Sequence, residues 1–253
     1  MKAMVLAAGF GTRLRPLTHT LPKPLLPIAG RPLIVWNLLL LKQYGVSDVV
    51  INLHHLGHLI EQELGDGTSL GLRITYSPEA VILGTGGGLK QAERLLGKES
   101  FLVLNGDTLV DLDVAALIRC HEHAGALATM VLRDDPEAEK WGLVELDGAQ
   151  HVIRINRQGL AQPVAAMARM FAGIHVMHPR LLRDVPVGRE SSIIDAYVRE
   201  IGHGATVFGY TMSGYWSDVG TPERYAQVQR DAERGVIKLA DRLSGLPDAL
   251  RPR

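Results

Sequence analysis

One cysteine, Cys120, is present in 253 residues, which excludes an intrachain disulfide and points to a reducing compartment. Neither sign of charge is in excess: Lys+Arg and Asp+Glu number 27 each. Without a broad basic field, neither nucleic acid nor an anionic membrane is an expected partner, and any bound anion has to be met by local charges. A membrane-spanning run is missing as well, because the longest apolar stretch, Leu33 to Leu41, contains Asn37 and falls well short of the ~20 residues needed. The short apolar stretch Ala3 to Ala8 runs into Gly9 with no cleavage site, so a signal peptide is not expected. Internal repeats and low-complexity tracts are lacking too. A soluble, cytoplasmic chain is the expectation, with homo-oligomer formation left open.

What is present is enough apolar material, 46% of residues, to bury one sizeable core. A single domain is expected over residues 1–235, followed by 236–253 as a tail or short capping helix. Buried-strand runs recur at Ala3–Ala7, Asp48–Leu53, Arg73–Tyr76 and Phe101–Leu104. Helical-period segments lie between them at Leu33–Tyr44, Leu56–Leu64 and Gly87–Leu96, and another follows at Val114–Ala124. This alternation predicts an α/β fold with a mixed, mostly parallel central sheet and helices on both faces.

After the strand Ala126–Leu132, Gly142–Leu146 and His151–Ile155 read as a hairpin turned by Asp147-Gly148. Met170–Met177 and Thr206–Tyr210 read as strands, Ser191–Ile201 as a helix, and a last helix starts near Pro222. The segment Asp134 to Lys140 reads as a charged loop and nothing more.

The segment with the clearest chemistry is Leu6-Ala-Ala-Gly-Phe-Gly-Thr-Arg13 and the following Pro22-Lys-Pro24. Gly9 and Gly11 let the backbone turn its N–H groups toward an anion, while Arg13 and Lys23 add countercharge. The loop follows the first strand, at the strand end where open α/β sheets bind ligands. A dinucleotide fingerprint would need glycine where Leu14 stands, and Gly97-Lys98 is followed by Glu99, so neither that motif nor a Walker loop is present.

Two acids stand out by context. Asp107 follows the apolar run Phe101 to Leu104, and Asp218 lies in the turn-rich stretch Gly214 to Pro222, just before a helix. Two carboxylates brought from distant points beside a phosphate loop suit Mg²⁺, which takes one or two carboxylates together with phosphate oxygens and waters. Gly84-Thr85-Gly86-Gly87-Gly88 precedes a helix, and so many glycines there point to a close approach to the backbone, for which a flat nucleobase is one candidate. His54, His55 and His58 have a zinc-like spacing without a third ligand motif, and His121-Glu122-His123 places neighbours on different helix faces. The first group is read as surface or structural, and no shared ion is expected at the second.

These segments, with Trp141-Gly-Leu-Val144 and Tyr215-Trp-Ser-Asp-Val-Gly-Thr-Pro222, carry a family resemblance. The chain resembles the sugar-1-phosphate nucleotidyltransferases, the NDP-sugar pyrophosphorylases of the Rossmann-like nucleotide-diphospho-sugar transferase fold. The resemblance implies attack by a sugar-1-phosphate oxygen on the α-phosphorus of a nucleoside triphosphate. Under it, Arg13, Lys23 and Asp107 are catalytic, and Asp107 and Asp218 hold Mg²⁺. Leu6, Ala8, Gly9, Gly11, Thr12, Gly86 and Gly87 bind the nucleotide, and Gly142 lies against the sugar.

Many members carry Glu-Lys-Pro after the hairpin; here Asn156-Arg157-Gln158 stands there, so Arg157 is the first candidate to replace the phosphate-binding lysine, with Arg154 and Arg169 as the alternatives. Phe171 likewise stands where Asn is common. These features resemble N-acetylmuramate-1-phosphate uridylyltransferases, whereas Gly84-Thr85-Gly86-Gly87 and Asn105-Gly-Asp-Thr108 also resemble mannose- and manno-heptose-1-phosphate guanylyltransferases. The expected function leans to the guanylyltransferases. A non-catalytic nucleotide-sugar-binding subunit is the competing class, disfavoured because Arg13, Lys23, Asp107 and Asp218 are all retained.

Overall fold

The computed structural model describes residues 1–160, 167–238 and 242. Of the expected tail, 236–253, all but Val236, Ile237, Lys238 and Arg242 lie outside the described residues. The first half of the chain runs β1 (Ala3–Leu6), β2 (Pro27–Ile28), β3 (Arg31–Pro32), α1 (Leu33–Gln43), β4 (Asp48–Leu53), α2 (Gly57–Leu64), β5 (Arg73–Pro78), α3 (Gly84–Leu96), β6 (Phe101–Asn105) and β7 (Thr108–Val110). There follow α4 (Val114–Ala124), β8 (Ala128–Arg133), α5 (Ala138–Trp141), β9 (Leu143–Leu146), β10 (Val152–Ile155), β11 (Gln158–Gly159), β12 (Met167–Met177), α6 (Ile193–Gly202), β13 (Val207–Thr211), β14 (Trp216–Asp218) and α7 (Pro222–Glu233). The fold is α/β, with a mixed parallel and antiparallel sheet flanked by helices.

Contacts divide the chain into two compact units. One comprises Lys2–Ile82, Leu104–Leu112 and the chain from Gly214 on. In it β1, β4 and β5 pair in parallel, with Leu6 opposite Asn52 and Leu53 opposite Pro78. These strands read as continuous apolar runs because they are buried: Ala3, Met4, Val5 and Ile51 have no exposed surface. Helix α1 is buried from Leu33 to Leu41, and Trp36 donates its indole N–H to Ile28 O at 2.8 Å. A separate two-stranded antiparallel sheet pairs β7 with β14, placing Thr108 opposite Asp218 and Val110 opposite Trp216. Asp218 thus ends a strand, where the sequence reading had only a turn-rich loop.

The other unit comprises Met1, Leu83–Val103 and Asp113–Ser213. Strand β12 pairs antiparallel with β9 through Met167–Met170 and with β8 from Met170 to Met177, while β13 joins β8 in parallel. The expected hairpin is β9–β10, but its connection is longer than a tight Asp-Gly turn. The Asp147 carboxylate accepts from the N–H groups of Ala149 and His151, and the left-handed residue is Gln150 (φ 67°). A second, tighter hairpin turns through Asn156 (φ 49°) and Arg157 (φ 64°) into β11, the geometry of a type I′ turn. Asp134 to Lys140 is not wholly loop, since its last residues open the short helix α5. Ser192, Asp113 and Thr221 cap α6, α4 and α7 through their side-chain oxygens.

Candidate active site

The first unit gathers nine of the expected residues: Leu6, Ala8, Gly9, Gly11, Thr12, Arg13, Lys23, Asp107 and Asp218. Gly9 and Gly11 lie in the loop after β1, and Thr18 donates its hydroxyl to Gly11 O at 2.8 Å. Thr12 to Leu14 then form a single 3₁₀ turn with Leu14 buried at 1% exposure. That burial explains why a third glycine does not stand at this position: the side chain is part of the core. Arg13, on the same turn, is exposed at 62% of its side chain. Lys23 opens another 3₁₀ turn after the extended Pro22 and is buried at 7% exposure.

Asp107 lies two residues past β6. Gly106 donates its N–H to Leu6 O at 2.8 Å, and a Cβ at Gly106 would fall 2.7 Å from that same oxygen. Only glycine permits this approach, so the turn carrying Asp107 is fastened to the end of β1, where the glycine-rich loop begins. Val219 N–H donates to Asp107 O at 2.9 Å, which draws the end of β14 to the same place.

The charged side chains converge. Lys23 Nζ lies 2.6 Å from Asp107 Oδ2 and 3.3 Å from Asp218 Oδ1. Arg13 Nη2 lies 3.8 Å from Asp218 Oδ2, and Arg224 Nη1 lies 3.4 Å from that oxygen. Three cations, Lys23, Arg13 and Arg224, thus gather around the two carboxylates. Arg224 was not singled out from sequence; its only signal there is its place in the first turn of the Thr221-capped helix, six residues after Asp218.

Among the described residues no group of three or more His, Cys, Asp or Glu side chains is placed to hold a metal. Asp107 and Asp218 nevertheless suit Mg²⁺, because both point an oxygen at one cation, the Lys23 ammonium, and Mg²⁺ completes its shell with phosphate oxygens and waters.

The other expected residues belong to the second unit. Helix α3 starts at Gly84, so Gly84 to Gly88 form its first turns and do not precede it. A Cβ at Gly84 would lie 2.6 Å from Ser191 O, and one at Gly86 would lie 2.9 Å from both Ser191 Oγ and Ser192 C. The close approach that these glycines permit is made by the chain's own 189–192 segment. Gly86 N–H donates to Ser191 O at 2.8 Å, Ser191 N–H to Leu83 O at 2.9 Å, and Ile193 N–H to Thr85 Oγ1 at 2.9 Å.

Gly142, Trp141, Leu143, Glu139, Asn156 and Arg157 line an open hollow of about 550 Å³. Arg157 donates to Glu139 Oε1 at 2.6 Å, with both side chains 69% exposed. Arg154 donates to Arg157 O at 2.6 Å and pairs with Glu145 at 3.4 Å, while Arg169 pairs with Asp134 at 2.9 Å. Phe171, in β12, packs edge-on against His175, and its N–H donates to Gly142 O at 3.0 Å.

The histidines behave as structural groups. His121 contacts Thr129 Oγ1 and Ser100 Oγ at 3.0 Å each, and burial lowers its pKa. His175 is buried against the Tyr197 hydroxyl, and burial lowers its pKa to about 3. Near the Asp218 strand, burial followed by the Asp231 carboxylate raises the Tyr215 phenol.

Fold and side chains together define an α/β protein with a charged cluster at the carboxyl end of its first strand. The chain belongs to the nucleotidyl transferase family, whose profile matches residues 2–235. It is 39% identical over 236 residues to an N-acetylmuramate alpha-1-phosphate uridylyltransferase of Neisseria meningitidis, covering 90% of this chain and 97% of that protein. It is 33% identical over 251 residues to a UTP–glucose-1-phosphate uridylyltransferase of Synechocystis sp., covering 94% of this chain but 63% of the relative. With a mannose-1-phosphate guanylyltransferase of Mycobacterium tuberculosis it shares 34% identity over 236 residues, 92% of this chain and 65% of that one. The chain therefore spans about two thirds of two of these relatives and nearly all of the third. The fold recurs in a putative glucose-1-phosphate thymidylyltransferase from Bacillus anthracis, with a TM-score of 0.80 at 24% identity over 92% of this chain and 95% of that one. Among the described residues no helix is long and apolar enough to cross a membrane.

Proposed function

We propose that the protein joins a nucleoside triphosphate to a sugar-1-phosphate, releasing pyrophosphate and forming an NDP-sugar. The observation that carries this reading is the cluster in which Lys23 bridges Asp107 and Asp218 beside Arg13 and the glycine-rich loop, in a chain of the nucleotidyl transferase family. In the reaction, a phosphate oxygen of the sugar-1-phosphate forms a bond to the α-phosphorus, and the bond from that phosphorus to the oxygen bridging to the β-phosphate breaks. The electron pair leaves with pyrophosphate, so no covalent protein intermediate is required. Catalysis of this kind is positioning and charge neutralisation.

The chain's own residues divide that work. Arg13, long and exposed, grips the triphosphate. Lys23, buried and rigidly held, directs its ammonium at charge developing on the reacting phosphates. Asp107 and Asp218 would hold Mg²⁺, which when bound neutralises phosphate oxygens. Leu6, Ala8, Gly9, Gly11 and Thr12 present main-chain groups to the nucleotide, with Gly86 and Gly87 on its other binding segment. Gly142 and Arg157, at the rim of the hollow, serve the sugar-1-phosphate.

Guanylyl transfer to a mannose- or heptose-type sugar-1-phosphate is the first reading of specificity, supported by Gly84-Thr85-Gly86-Gly87 and Asn105-Gly-Asp-Thr108. Uridylyl transfer to N-acetylmuramate-1-phosphate is the second, favoured by the match to nearly the full length of the Neisseria relative. A pyrophosphate-release screen crossing the common nucleoside triphosphates with a panel of sugar-1-phosphates tests the function. Turnover of one pair well above all others supports it; no release from any pair contradicts it.

A further inference from the structure

Beside the glycine-rich loop lies a buried polar chain that the proposed chemistry does not use. The parallel pairing of β1 with β4 ends at Leu6 opposite Asn52. The next amide, Ala7 N–H, donates instead to Asn52 Oδ1 at 2.8 Å, and Asn52 Nδ2 donates to Glu79 Oε1 at 2.7 Å. Asn52 is 2% exposed and Glu79 5%. Glu79 is itself anchored by its backbone, with its N–H on Leu53 O at 2.7 Å and its carbonyl accepting from His54 Nδ1 at 2.8 Å.

A buried amide and carboxyl cost free energy that an apolar pair at the same place would not, unless they are hydrogen-bonded. Here both bonds serve one end. A side-chain amide could face Ala7 with either its oxygen or its NH₂, and only the oxygen can accept the backbone N–H. The Glu79 oxygen accepts from the NH₂ group and so selects that orientation.

We propose that Asn52 and Glu79 are positioning residues of the glycine-rich loop: Glu79 fixes the Asn52 amide, and Asn52 fixes the direction in which the chain leaves β1. The histidines with the zinc-like spacing complete the support. The Phe10 ring packs edge-on to His54 at 5.4 Å and tilted against His55 at 5.6 Å. His55 Nε2 lies 3.2 Å from Thr18 O, and Thr18 bonds Gly11 O. The loop is thereby held at its first residue, at its middle aromatic residue and at Gly11.

The inference rests on the proposed function for its kinetic arm only. Asn52→Leu, Glu79→Ala and Glu79→Gln are compared in the full chain by hydrogen exchange of the 7–11 amides without substrate, by melting, and by KM and kcat for the triphosphate. Asn52→Leu and Glu79→Ala are expected to speed exchange in that segment by about 10-fold or more, the equivalent of one buried hydrogen bond. KM for the triphosphate rises by a similar factor and kcat changes less. Glu79→Gln, whose amide oxygen still accepts from Asn52, stays close to wild type in every readout. Glu79→Gln as damaging as Glu79→Ala would overturn the proposal, because charge and not acceptor geometry would then be what matters. Unchanged exchange at residues 7–11 in Asn52→Leu would overturn it equally. Should Glu79→Ala fail to fold, the contrast of Asn52→Leu with Glu79→Gln carries the test. A wild type without turnover counts against the proposed function and leaves the exchange comparison intact.

Discussion

The Lys23 ammonium lies 2.6 Å from Asp107 Oδ2, joining a 3₁₀ turn early in the chain to a turn that follows β6. Asp107 is anchored through Gly106 to the end of β1 and through its own carbonyl to Val219. Lys23 therefore reads out the relative placement of the glycine-rich loop, the β6 end and the β14 end in one contact.

Lys23→Ala is expected to lower kcat by at least ~100-fold, the scale on which removal of one preorganised electrostatic group acts. Arg13→Ala is expected to act mostly on KM for the triphosphate, since ground-state and transition-state binding separate in kinetics. The stability cost of Lys23→Ala should stay below the about 3–5 kcal/mol of breaking a buried pair, because Arg13 and Arg224 still face Asp218. Steady-state kinetics and a denaturant melt decide it; a large loss of stability with normal kcat would make Lys23 a structural residue.

Gly86→Ala tests what the glycines of α3 are for. A Cβ there meets Ser191 Oγ and Ser192 C at 2.9 Å, so the 189–192 segment has to shift, at a cost of about 1–3 kcal/mol for overpacking. A drop in melting temperature of about 2–4 °C per kcal/mol should follow in a protein of this size. An unchanged melting temperature with weakened triphosphate binding would instead assign the missing Cβ to the nucleotide alone.

The glycine-rich loop and Asp107 were legible in the sequence because a short apolar run, a glycine and a charged residue are contiguous there. Other parts required distant segments. β7 and β14 are three residues each, too short for an alternating pattern, and they become strands only by pairing with each other. The start of α3 was hidden because glycine is a poor helix former, and its cost is offset by packing against residues 189–192. Arg224, Asn52 and Glu79 carry no local motif. Their roles arise from hydrogen bonds and ion pairs to residues far away in the chain or on another element.

His175 should make the protein acid-sensitive. Its pKa is lowered by burial from 6.5 to about 3 in the fold, so above pH 6.5 it is neutral in both the folded and unfolded states. As pH falls below that value, the unfolded chain takes up a proton that the native chain refuses, and stability drops by about 1.4 kcal/mol per pH unit for this one group. Denaturant melts between pH 7 and 4.5 should show the slope reduced by about that amount in His175→Gln. Equal slopes would mean that His175 is protonated alike in both states.

Arg157→Ala is expected to raise KM for the sugar-1-phosphate while leaving that for the triphosphate nearly unchanged. All three arginines are paired with a carboxylate, but Arg157 is 69% exposed whereas Arg154 and Arg169 are 25% and 23% exposed. Titration of both substrates against the three single alanine variants checks this. A loss confined to Arg154→Ala or Arg169→Ala would move the role to that residue.

Nucleotidyl transfer itself is tested by following two labels through one reaction, using the triphosphate and sugar-1-phosphate that the screen selects. With Mg²⁺ present, a label on the α-phosphate should appear in the NDP-sugar and a label on the γ-phosphate in pyrophosphate. Both transfers should stop with excess chelator and fall by at least ~100-fold in Asp107→Asn. A γ-label found on the sugar or released as orthophosphate would rule out nucleotidyl transfer, and full transfer in excess chelator would rule out the metal role of Asp107 and Asp218.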